Sequence, residues 1–254
     1  MSWPVFVINM AGNTTRMDRA AAELDRLAIP FSRFEAVDGR ALPAAELARV
    51  YDPVANVARS RHPMIGGEIG CYLSHVALWE MIAAGEVEGG IILEDDFAAA
   101  DDLAQVLDAI ARDPGDWEIA KLFSARKRQK LLAPRPLVQG RAIAVPYKVP
   151  NTTLGYAIRR DAAARLAARA LPVSRPIDED HKHFWEMGLR VALVAPPPLA
   201  FGEQSTDSGS ITATRRSAKA RHPGGALAHA LRSVKYRLRY LVKLHWHRGL
   251  RRMR

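Results

Sequence analysis

Ile91-Ile92-Leu93-Glu94-Asp95-Asp96, preceded by Gly89-Gly90, is an apolar run that ends abruptly in three consecutive carboxylates. So short an apolar segment, opened by glycines, reads as a buried strand of an α/β sheet, and such sheets place ligand chemistry at the carboxyl ends of their strands. Adjacent carboxylates repel one another. Keeping them ionised requires solvent or a cation, and hard oxygen donors suit Mg²⁺ or Mn²⁺, with a substrate's phosphates completing the shell. The stretch predicts a metal-diphosphate site with Glu94 and Asp96 as metal ligands, because side chains two apart on an extended segment share a face. A solvated strand-to-helix turn, in which Asp95 or Asp96 caps the next helix, is the competing reading.

Around this run the pattern alternates. Strands are expected at 4–9, 31–36, 117–123, 142–145, 153–158 and 190–194, and helices at 14–28, 68–84, 101–112, 160–170 and 177–187, before Pro196-Pro197-Pro198 stops regular structure. Alternation of this kind argues for a mostly parallel sheet covered on both faces. Segments 49–65 and 124–140 show poor periodicity and many basic residues and prolines, so they read as loops near the site or as disordered segments.

Gly67-Glu68-Ile69-Gly70-Cys71-Tyr72-Leu73-Ser74-His75-Val76-Ala77-Leu78-Trp79-Glu80 is an amphipathic helical segment in which Ser74 and His75 flank an apolar stripe. Together with Val5-Phe6-Val7-Ile8-Asn9-Met10, Arg16-Met17-Asp18-Arg19 and Phe34-Glu35-Ala36-Val37-Asp38-Gly39, it resembles glycosyltransferase family 25. That family holds bacterial lipooligosaccharide galactosyltransferases and collagen galactosyltransferases. The resemblance continues through Asn151-Thr152-Thr153-Leu154-Gly155-Tyr156-Ala157-Ile158 and Pro176-Ile177-Asp178, and ends near Gln204 with Ser210-Ile211. It implies a GT-A-like, Rossmann-like nucleotide-sugar-binding domain over residues 1–212. It also implies a metal-dependent, inverting transfer of a hexose, galactose from UDP-galactose, onto a lipooligosaccharide, glycolipid or polysaccharide precursor. The carboxylate run stands where glycosyltransferases carry an acidic Asp-X-Asp motif, although its first acid here is Glu94.

The resemblance also suggests where the nucleotide is held. Asn9 ends the first strand, and Arg16 could pair with a phosphate through its planar fork or remain an exposed helix charge. Asp38 could bond base or ribose or simply form a turn, and Asp95 could bond ribose or sugar. Ser74 and Glu68 are polar helix residues beside the site, equally plausible as supports. His75 could donate to a phosphate or acceptor hydroxyl, or be a satisfied core histidine. Lys121 interrupts an apolar strand and should be paired or aimed at an anion. An inverting transfer needs a base for the acceptor hydroxyl, and Asp178 leads, with Asp180 next; both also suit the start of a helix. His181 and His183, two apart on a helix, diverge, so zinc is not expected there.

Composition adds a second theme. The 254 residues, 48% hydrophobic, can bury one substantial core. The single cysteine, Cys71, excludes an intramolecular disulfide, suits a reducing compartment and reads as a small core residue. With neither a secretory signal pattern nor a run of about 20 apolar residues, the protein is expected in the cytoplasm. After Asp207 there is no acidic residue, while thirteen of the 37 basic residues lie between Arg215 and Arg254. Leu227, Leu231, Val234, Leu238 and Leu241 recur at helical spacing among those charges. This predicts a basic amphipathic tail, 213–254, lying on an anionic membrane surface, which the resemblance implies is the inner face of a bacterial cytoplasmic membrane. The competing readings pack the stripe on the catalytic domain or, less favoured, bind nucleic acid. A membrane-associated scaffold that has lost catalysis is the other class.

Overall fold

The computed structural model describes residues 3–126, 128–203 and 225–250. Its first half runs β1 (Val5–Asn9), α1 (Thr14–Arg26), β2 (Ser32–Glu35), α2 (Ala44–Val50), α3 (Pro53–Arg59), α4 (Gly66–Ala84), β3 (Gly89–Glu94) and β4 (Phe97–Ala99). The second half comprises α5 (Leu103–Arg112), β5 (Ile119–Lys121), β6 (Leu131–Val138), β7 (Arg141–Pro146), β8 (Gly155–Arg159), α6 (Arg160–Ala167), α7 (Ile177–Lys182), β9 (Val191–Ala195), β10 (Leu199–Phe201) and α8 (Gly225–Leu250).

Eight strands form one sheet in the order β2-β1-β3-β8-β5-β9-β7-β6. β1 pairs in parallel with β2 and β3, and β5 with β9, whereas β8 and β7 are antiparallel to their neighbours. Six strands therefore run one way and two the other, which gives an α/β, GT-A-like sheet. Side chains alternate across it: Ile91 and Leu93 enter a core with residues of α1 and α5, while Ile92 enters a second core with α4, α6 and α7. Both faces are covered, and for that reason β3 is apolar throughout rather than alternating.

Two segments expected to be irregular are ordered. Within 49–65 the chain forms α3, whose N-cap Asp52 accepts from the Ala55 amide and whose first residue is Pro53. A seven-residue helix is too short to show periodicity, but its cap and proline are start signals. Within 124–140, β6 forms despite Pro134 and Pro136, because it is the last strand of the sheet and its pairing with β7 shifts register twice. The helix expected over 177–187 stops at Lys182 and gives way to turns that end at Gly188, φ +62°. Regular structure also resumes after Pro196–Pro198, where β10 pairs with β4.

α8 is helical, as its spacing predicts, and it meets the domain along one ridge. Tyr240, Leu244 and Arg248 are buried, and the Tyr236 hydroxyl bonds Glu179 of α7. Arg248 sits over the Phe184 ring and donates to the carbonyls of Pro146 and Tyr147, 2.7 and 3.2 Å away. Of the predicted leucine stripe, Leu241 packs against the core, but Val234 and Leu238 are each 62% exposed, in a ridge continued by Val242 and Trp246. The aromatic and aliphatic residues two positions away do the docking. The side chains of Leu227 and Leu231, the boundary at 212/213 and the motif near Gln204 and Ser210-Ile211 lie outside the described residues. Among the described residues, no helix is long and apolar enough to cross a membrane.

Candidate active site

β1 and β3 lie side by side and parallel, so their carboxyl ends open at the same edge. A cleft of ≈ 320 Å³ lies there, lined among others by Arg16, Asp38, His75, Glu94, Asp95 and Asp96. Its far wall is the start of α4, and glycine permits the approach: a Cβ on Gly39 would stand 2.1 Å from the Gly66 carbonyl oxygen, and one on Gly70 2.3 Å from that of Val37. The Ser74 hydroxyl accepts from the Val37 amide at 2.9 Å and donates to the Gly70 carbonyl at 2.8 Å, tying the segment after β2 to α4. The Glu68 carboxylate accepts from the Ile65 amide at 3.0 Å and closes the helix start. Both residues build the wall.

β3 ends at Glu94, and Asp95 and Asp96 form a turn rather than continuing the strand. The three acids are therefore not spread by strand alternation, and all reach the cleft. Arg16 lies between two of them, 2.6 Å from Asp95 and 3.0 Å from Asp96. Asn9 donates to Asp95 at 2.7 Å. Glu94 accepts from the Thr153 hydroxyl, with His75 Nε2 3.9 Å away.

These surroundings separate the three acids electrostatically. Burial pushes Asp96 up, the charges of Glu94 and Asp95 add to it, and Arg16 only partly opposes, leaving its carboxyl at about 7. Asp95 is also raised by burial, against Asn9 and Arg16. Burial works on Glu94 in the same direction, but His75, Thr153 and Lys121 outweigh it and hold its carboxyl below the ordinary value. His75 is wholly buried, and burial pushes its imidazole below the ordinary value, against the pull of Glu94.

Behind Glu94 lies a second polar layer. Lys121 is fully buried; its Nζ donates to the Thr152 carbonyl at 2.8 Å, approaches His181 Nδ1 at 2.8 Å and lies 5.3 Å from the Tyr156 ring centre. Burial drives this amine down to about 7, against the attraction of Asp178 and Glu94.

The expected residues fall into two groups. Arg16, Asp38, His75, Glu94, Asp95 and Asp96 share the cleft, with Asn9 bonded to Asp95. Asp178 lines a separate cavity of ≈ 30 Å³ with Arg61, Asn151, Glu179 and Tyr236, and Lys121 is the buried charge between the two. Asp180 accepts from the Tyr72 hydroxyl at 2.6 Å and from Arg175, and Asp38 is chelated by Arg40. Sequence reasoning passed over the supporting partners: Thr153 on Glu94, Tyr156 on His75, and Tyr236 on Glu179. Thr153 and Tyr156 belong to the recognisable 151–158 stretch, but nothing local marks their partners, 59 and 81 positions away.

Comparison with known proteins places this cleft in context. The sequence profile of glycosyltransferase family 25 (LPS biosynthesis protein) matches residues 2–180. The chain is 32% identical over 218 residues to procollagen galactosyltransferase 2 of Homo sapiens, covering 78% of this chain and 34% of that protein. It is 31% identical over 237 residues to a glycosyltransferase 25 family member of Aedes aegypti, covering 85% and 38%. It is 29% identical over 217 residues to the inactive glycosyltransferase 25 family member 3 of Mus musculus, covering 77% and 36%. The chain thus spans well under half the length of these relatives.

Proposed function

The chain belongs to glycosyltransferase family 25, and from that premise we propose that it transfers a hexose from a nucleotide sugar, galactose from UDP-galactose, with inversion at the anomeric carbon. The observation that carries this reading is the cluster of Glu94, Asp95 and Asp96, the last two paired with Arg16, at the carboxyl ends of β1 and β3. The residues fit a divalent cation, Mn²⁺ or Mg²⁺: among the described residues Asp96 Oδ1 is buried with no hydrogen-bond partner, and burial and the charge of Glu94 disfavour ionisation of Asp96. Glu94 and Asp96 would hold it. When bound, such a cation supplies Lewis-acid stabilisation of the charge that accumulates on the departing nucleoside diphosphate.

The remaining work belongs to the chain. Arg16, turned from the carboxylates, offers its planar fork to a phosphate. Asn9 fixes the rotamer of Asp95, which then points an acceptor at ribose or sugar. Asp38 and Ser74 shape the nucleotide wall, and His75 lies at its base. Asp178, the base the family resemblance suggests for the attacking hydroxyl, lines a small cavity separate from the donor cleft. Asp180, held by Tyr72 and Arg175, is second in line. Lys121 supports both sides of the site, since its charge acts on Glu94 and Asp178 alike.

The acceptor in this reading is a membrane-anchored glycolipid or polysaccharide precursor, met at the inner face of a bacterial cytoplasmic membrane. What supports it is α8, where exposed Val234, Leu238, Val242 and Trp246 are bordered by exposed Lys235, Arg237, Arg239 and Lys243. Such a ridge suits an anionic leaflet, where each basic residue adds about 1 kcal/mol. A second reading, a scaffold without catalysis, is favoured by the inactive mouse relative. A panel of UDP-sugars with and without Mn²⁺, on wild type and Asp96→Ala, separates the two. Slow Mn²⁺-dependent release of UDP from one sugar, abolished by the substitution, supports transfer; a folded protein that binds no nucleotide sugar leaves the scaffold.

A further inference from the structure

At the base of the cleft three side chains from two elements converge. Cys71 and His75 stand one turn apart on α4, hence on the same face, and Glu94 ends the neighbouring β3. A Cys71 sulfur, a His75 ring nitrogen and a Glu94 carboxylate oxygen all lie within 4.8 Å of one another.

His75 makes this more than an accidental cluster. It is fully buried, and among the described residues its Nε2 has no hydrogen-bond partner; Glu94 Oε1, 3.9 Å away, is beyond reach. A buried polar nitrogen left in this state is costly, and a ligand that takes its lone pair removes the cost. The other ring nitrogen is engaged: Nδ1 lies 2.8 Å from the Tyr156 hydroxyl, whose oxygen accepts from Trp79 Nε1 at 2.9 Å. A metal would select the tautomer protonated on Nδ1, which leaves the Nε2 lone pair facing Cys71 and Glu94. Metal-binding histidines are oriented in this way by a partner on the second nitrogen, and the Thr153 hydroxyl does the same for Glu94.

We propose that Cys71, His75 and Glu94 form a three-ligand site for a transition-metal cation of the zinc or cobalt type, its open position facing the cleft beside Asp96. A sulfur, nitrogen and oxygen donor set favours such ions over Mg²⁺, and three protein ligands with one open position is the pattern of catalytic rather than structural zinc. As the sulfur–metal bond forms, the Cys71 thiol proton passes to solvent. The site shares Glu94 with the donor-cleft reading but does not require sugar transfer.

The test is titration of the metal-stripped full chain with Co²⁺. One equivalent should bind and produce a near-ultraviolet thiolate-to-cobalt charge-transfer band, which must come from Cys71 because the chain has no other cysteine. The band should vanish in Cys71→Ser, and Zn²⁺ should displace the cobalt. In the unaltered protein, Zn²⁺ should slow alkylation of Cys71 at least tenfold, a readout that needs no variant to fold. Cobalt bound without a thiolate band, or alkylation indifferent to Zn²⁺, overturns the proposal. UDP release measured in parallel keeps the two ideas apart: a thiolate band without UDP release retains the metal site and removes the transferase, and the reverse removes the site alone.

Discussion

Asp96→Asn should make the metal-free protein more stable above neutral pH while removing cation-dependent chemistry. The carboxyl titrates at 3.8 unperturbed and at about 7 in the fold, for reasons of burial and of the charges on Glu94 and Asp95. Because the folded value lies above the unfolded one, the folded state binds more protons between these limits, and stability falls as pH rises through them. The penalty is absent below about pH 4 and complete above about pH 7, with a ceiling of about 4 kcal/mol at 1.36 kcal/mol per pH unit. The open cleft lets water screen part of it, and Arg16 loses one of two partners, so the net gain should be about 1 to 3 kcal/mol at pH 8.5. Urea unfolding in chelator at pH 5.0 and pH 8.5, wild type against Asp96→Asn, reads this directly. The difference between the two proteins should widen with pH. Equal stabilities at pH 8.5, or a variant less stable there than at pH 5.0 relative to wild type, would refute the electrostatic account of this carboxylate cluster.

Other substitutions probe the wall, the buried lysine and the C-terminal helix. Gly39→Ala drives a Cβ into the Gly66 carbonyl and the Gly70 amide, 2.1 and 2.4 Å away, and should cost about 1–3 kcal/mol or more in thermal unfolding while weakening UDP binding by calorimetry. Lys121→Met leaves the Thr152 carbonyl and His181 Nδ1 without a donor, so urea unfolding at pH 8 should show a loss of about 1–3 kcal/mol rather than the gain expected from an added apolar side chain. Leu244→Ala, at a fully buried position, should lose about 2–5 kcal/mol, whereas Leu238→Ala should leave unfolding unchanged and lower co-sedimentation with anionic vesicles. Equal unfolding curves for those two variants would contradict the docked face of α8.

The parts of the fold that could be read in advance are those whose signal is local. β3 announces itself as an apolar run between glycines and acids, and α4 by Ile69, Leu73, Val76 and Trp79 at helical spacing, although the folded helix is buried on more than that one face, with Ser74 and His75 as buried as the stripe. β6 does not, because an edge strand tolerates the prolines that argue against a central one. In the cleft, Arg16, Asp38 and the three acids are recognisable from charge and motif. Their division of labour is not: Asp38 is taken up by Arg40, two positions on, and Glu94 accepts from Thr153, a contact that exists only once β8 is laid beside β3. The tail shows the same limit in another form. Its leucine spacing correctly predicts a helix, but a stripe does not say which face docks, and here aromatic residues that find partners on α7 prevail.

The ridge of Tyr236, Tyr240, Leu244 and Arg248 has a mechanical consequence. An amphipathic tail on a slack tether can roll about its axis until its greasiest side meets whatever it encounters. Contacts spaced one turn apart, from the Glu179 carboxylate to the Pro146 carbonyl, deny α8 that rotation. The direction in which Val234, Leu238, Val242 and Trp246 point is therefore a property of the whole folded body. Any surface that captures this helix also sets the heading of the cleft at the ends of β1 and β3.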